Sequence, residues 1–81
     1  MLFLIEYDRP SGTLVTFREF DEAERQVAND ARFDLELRLN RQGIQHEVVI
    51  LDAPNKEALR RTHGRYFNNF AELARELTAT L

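Results

Sequence analysis

The side chains able to do chemistry in this chain are few: two histidines, His46 and His63, one serine, Ser11, and a scatter of carboxylates, with no cysteine at all. His63 has the most suggestive neighbour. Tyr66 stands three residues on, so within one helix the imidazole and the phenol share a face, beside an apolar stripe that would partly strip water from the ring. They form a candidate polar site in which His63 would act as a base. The simpler reading, which the sequence favours, is a helix histidine whose nitrogens meet water or a carbonyl.

Metal ligation has less support, because the positions one helical turn either side of His63 are Leu59, Arg60, Tyr66 and Phe67, none of which completes a ligand set. His46 is equally isolated, so neither a metal nor another cofactor is expected. Ser11 lies in a turn with no pattern for activation. Asp21, Glu22 and Glu24 suit a helix start better than acid–base work. Gly12, Gly43 and Gly64 are too scattered to cradle a phosphate. The chain reads as a protein that is not an enzyme.

Charge is unevenly spread. The net value is −3, but residues 1–54 carry −5 and residues 55–81 carry +2. Lys56, Arg60, Arg61 and Arg65 supply most of the basic end and are the candidate nucleic-acid contacts. On a helical wheel, however, Lys56 and Arg60 flank one side of the apolar stripe while Arg61 and Arg65 lie on the other. A divided patch on an acidic body argues against a phosphate backbone as partner. The N-terminal apolar run stops at Ile5 and lacks a basic leader, which argues against a signal peptide or membrane span and for a cytoplasmic protein.

The elements that must position these groups can be read from local signals. "LFLIEY" (2–7) and "TLVTFREF" (13–20) are β-rich and joined by "DRPSG", where Pro10 presets φ and Gly12 accepts a positive φ; this predicts a hairpin. Asp21 with Glu24 predicts a capping box and a first helix over about 21–42, ended by Gly43 and Ile44 as a Schellman motif ends a helix. "RFDLELRL" (32–39) also alternates apolar and polar residues and would support a second hairpin, giving ββαββα. Helix propensity and the Gly43 stop favour the helix. "HEVVILDA" (46–53) predicts a buried strand, and Asn55 caps a last helix over about 56–79.

With 81 residues the chain forms a single α+β domain. The expected fold is two-layer ββαβα, with a three-stranded mainly antiparallel sheet in order 2-1-3 and two helices on one face. Because the first strand is apolar on both sides, such a fold leaves one sheet face open, and Phe3, Ile5 and Tyr7, or else Leu2 and Leu4, would need a partner. The last helix presents Leu59, Tyr66, Phe70, Leu73 and Leu77 as its core stripe, with Gly64 on the outer side. The first presents Ala23, Val27, Ala31, Leu35 and Leu39, with Phe33 and Leu37 on nearly the opposite side. Those two residues either pack on the last helix, tolerate exposure, or meet another molecule. Together with the open sheet face they point to a non-enzymatic interaction module, a homodimer in which Phe3, Ile5, Tyr7, Phe33 and Leu37 are the candidate interface.

Overall fold

The computed structural model describes residues 1–67. Strand β1 (Leu2–Asp8) pairs antiparallel with β2 (Thr13–Phe20) on one side and with β3 (Glu47–Asp52) on the other, so the sheet order is 2-1-3 and every neighbour is antiparallel. Helix α1 (Arg25–Arg41) connects β2 to β3, and helix α2 (Lys56–Thr62) follows β3. The apolar strand β1 is central, as its two-sided composition requires. Leu2, Phe3, Leu4 and Ile5 are all fully buried.

Local signals produce the elements. The hairpin turn closes with the Gly12 N–H donating to the Arg9 carbonyl at 3.2 Å, and Gly12 takes φ +67°. Ahead of α1, a 3-10 turn at Glu22–Glu24 forms a capping box, in which the Glu24 carboxylate accepts from the Asp21 N–H at 3.0 Å. At the far end Gly43 stands at φ +69°, the Ile44 N–H donates to Leu39 at 2.9 Å, and the Gly43 N–H donates to Asn40 at 3.2 Å. Those two bonds define a Schellman ending. Residues 32–39 are therefore helix, and the ββαββα alternative is set aside. Asn55 Oδ1 accepts from the Ala58 N–H at 2.8 Å and caps α2.

The helices do not share one face of the sheet. Ala28, Leu35 and Leu39 of α1 pack on Leu2, Leu4 and Phe20. Leu59 of α2, with Tyr66 and Phe67 beyond it, packs on Phe3 and Ile5. The expected two-layer arrangement is thus a sheet held between two helices. Its physical reason lies in β1 and in a bulge in β2. The register shifts between Glu6 and Tyr7, leaving Val15 as the extra residue, so Leu14 and Phe17 both face α2 while Phe20 faces α1. Each side of the sheet then carries large apolar side chains, and each needs a cover.

Two helix expectations also change. Ala23 falls in the 3-10 turn and Val27 is half exposed, so the inward stripe of α1 runs through Ala28 instead. Helix α2 stops at Thr62: His63 takes φ −131° and ψ 43°, and Gly64–Tyr66 form a separate 3-10 turn that brings Tyr66 and Phe67 onto the sheet. The continuation expected to 79, with Phe70, Leu73 and Leu77, lies outside the described residues. Among the described residues no helix is long and apolar enough to cross a membrane.

Candidate functional site

The sheet centre carries a charged residue that the sequence reading passed over. Glu6 alternates with Leu2 and Leu4 on the α1 side of β1 and is only 4% exposed. Its two carboxylate oxygens are both engaged: Oε1 accepts from the Thr16 hydroxyl at 2.7 Å, and Oε2 lies 2.5 Å from His46 Nδ1. A buried carboxylate without such partners would cost several kcal/mol. The signal for it was in the sequence, as the lone charge within "LFLIEY". The partner was not, since His46 is 40 residues away.

Chemically, a histidine held at Nδ1 by a carboxylate has the orientation of a general base. Ser11, the one serine, is bonded within its own turn. Its hydroxyl is 2.6 Å from Asp8 and 2.8 Å from Thr13, within the hairpin turn. The Glu6 group instead ties the central strand to β2 through Thr16 and to the segment entering β3 through His46. His46 also borders a shallow groove of about 220 Å³ with Glu36, Leu39, Asn40, Ile44 and Val48, between α1 and the outer edge of β3.

The expected polar pair, His63 and Tyr66, is brought together, but its groups are already engaged. Their rings stack at 6.5 Å, and His63 Nδ1 is 2.8 Å from the Thr62 hydroxyl. The Tyr66 hydroxyl donates to Glu47 at 3.1 Å and accepts from Arg65 at 2.6 Å. That bond, followed by the charges around it, raises the pKa of the Arg65 guanidinium. Arg65 reaches Glu47 at 3.2 Å, and Arg9 approaches the other Glu47 oxygen at 3.6 Å. Glu47, unanticipated from sequence, is thus the hub that pins the 3-10 turn to β3, while Tyr66 packs edge-on against Tyr7 at 5.1 Å.

The basic residues are dispersed. Lys56 pairs with Glu19 at 2.9 Å, Arg61 with Glu57 at 2.9 Å, and Arg60 lies over the Phe67 ring at 5.8 Å. Lys56 and Arg61 are thus each paired with a carboxylate of their own chain. Among the described residues, no group of three or more histidines and carboxylates is placed to hold a metal ion.

The candidate interface divides. Phe3 and Ile5 are fully buried beneath α2 and Tyr7 is half-buried against Tyr66, so the sheet face they form is covered within the chain and is no docking surface. Phe33 and Leu37 behave differently. They project from α1 away from the sheet, and Phe33 is 63% exposed and Leu37 37%. They do not pack against α2, which lies across the sheet. Comparison with models of known families, with curated proteins and with solved structures finds no match.

Proposed function

We propose that this domain works by association, as a homodimer in which the outer face of α1 meets the same face of a second copy, in the cytosol. The observation that carries the reading is the exposed Phe33 and Leu37, one turn apart on a helix whose other side already fills the core.

Their surroundings favour a second copy of the chain. Gln26, Asp30, Phe33, Leu37 and Asn40 follow a 4-3-4-3 spacing, the seam by which one helix packs along another. In an antiparallel pair, Phe33 meets Leu37 of the second copy, and Asp30 meets Asn40 with Arg41 beside it. A parallel pair would instead set Asp30 against Asp30. The seam is self-complementary in one direction, as a twofold contact requires. The Glu6–His46 group and the Glu47 hub, engaged by their own chain, act as ties that hold the surface in place.

Sedimentation velocity across a concentration series tests this. The chain should sediment as a dimer, and Phe33→Glu should raise the dissociation constant at least about tenfold, the equivalent of roughly 1.4 kcal/mol. A monomer at every concentration, or a dimer indifferent to Phe33→Glu, overturns the reading.

A further inference from the structure

The sheet has two outer edges, and they are built differently. The β2 edge is interrupted by the bulge at Val15 and carries Arg18 and Glu19, devices that discourage strand addition. The β3 ladder is regular, and its middle is "VVIL", half-buried and without charge, proline or bulge. Among the described residues no strand pairs with its outer side.

The backbone groups on that side can be assigned. Met1 and Ala53 exchange both of their backbone hydrogen bonds, at 2.9 and 3.0 Å. In an antiparallel ladder such pairs alternate, so Phe3 with Leu51, Ile5 with Val49 and Tyr7 with Glu47 are the hydrogen-bonded pairs. The N–H and C=O of Val48, Ile50 and Asp52 therefore point outward, away from β1.

We infer that β3 pairs edge to edge with β3 of a second copy, antiparallel about a twofold axis at Val49, so that the two sheets become one of six strands. This register joins the outward groups of Val48 to those of Ile50 in the other copy. It sets Val49 beside Val49, Val48 beside Ile50, and Asp52 opposite the imidazole of His46; no like charges face each other. A twofold axis normal to the sheet also makes the two α1 helices antiparallel. Because α1 packs more on β3 than on β2, the helices come to lie side by side, near the roughly 8–10 Å at which helices pack. Glu36 and Asn40 of α1 border the groove over β3 and so lie on the side of the helix toward this axis, with Phe33 one turn from Glu36. The inference deepens the dimer reading and rests on it.

The absence of native cysteine makes the test direct. In the non-hydrogen-bonded pair at the axis, two Val49→Cys side chains come within disulfide reach. Under mild oxidation Val49→Cys should cross-link at least about tenfold faster than Val15→Cys, which sits on the bulged edge. Amide exchange of Val48 and Ile50 in the unmodified chain should slow as concentration rises. Ile50→Pro, which removes an outward N–H and leaves the β1 ladder intact, should abolish that protection; circular dichroism checks that it folds. A dimer whose Val48 and Ile50 amides exchange independently of concentration, with Val49→Cys no faster than Val15→Cys, overturns the strand pairing and leaves the helix contact standing. Strand pairing indifferent to Phe33→Glu leaves the inference standing and removes the helix contact. A monomer throughout removes both.

Discussion

The two sides of the sheet solve the same problem with different materials. On the α2 side, among the described residues, a seven-residue helix is too short to cover three strands, and aromatic side chains extend the cover. Phe17 stacks on Phe3 at 5.6 Å and meets Phe67 edge-on at 5.7 Å, and Tyr7 meets Tyr66. On the α1 side the helix is 17 residues long and presents small and aliphatic residues inward, with a buried carboxylate among them. That longer helix has residues to spare, and its outer face keeps Phe33 and Leu37. A short cover thus consumes its own aromatics, whereas a long cover leaves apolar side chains exposed on its outer face.

The largest expected break is on the aromatic side. Phe3→Ala removes a fully buried ring from the middle of the stack, and urea denaturation should show a loss of about 3–5 kcal/mol. On the α1 side the vulnerable point is polar. His46→Ala leaves the Glu6 carboxylate buried with Thr16 as its remaining partner, an expected loss of about 2 kcal/mol, reduced from a fully buried pair because His46 is partly exposed. Replacing Glu6 and His46 together by leucine should cost less than His46→Ala alone. A double substitution that costs the sum of the two singles would show that the pair is not coupled.

Smaller effects separate the two glycines. Gly43 holds a positive φ with open space around it, so Gly43→Ala meets strain but no clash and should cost about 1 kcal/mol. Gly64 has no such conformation and nothing within 4 Å of an added Cβ, so Gly64→Ala should shift the thermal midpoint by an amount equivalent to about 0.5 kcal/mol or less. Smallest of all, Phe33→Ser should leave the stability of the isolated chain unchanged to within about 0.5 kcal/mol while weakening association. A large loss in the monomer would mean that Phe33 belongs to this chain's own core and would erase the contrast between the two covers.

Gly64 marks the limit of what local spacing encodes. On an uninterrupted helix its position faced outward with no packing reason. The chain instead leaves the helix at His63, and Gly64 opens a 3-10 turn, so a helix-interior cost does not apply. Among the functional candidates, the sequence named Tyr66, Phe33 and Leu37 from helical spacing. It passed over Glu6 and Glu47 because a carboxylate's worth depends on what lies across the fold. Thr16, His46, Arg65 and Tyr66 reach those two residues from distant parts of the chain.

What the sequence by itself determined is everything encoded within a few residues. The hairpin turn at Gly12, the capping box at Asp21, the Schellman ending at Gly43, the Asn55 cap and the central place of a strand apolar on both sides all follow from backbone preference and alternation. Tertiary structure alone decided which side each helix covers, where Phe17 points and what Glu6 touches. Both faces of β1 are apolar, so sidedness depends on how whole elements pack. A one-residue bulge at Val15 then sends Leu14 and Phe17 to the same face, away from Phe20. The physical difference is range: capping and turn energies act within one turn of chain, whereas burial is settled only when distant segments meet.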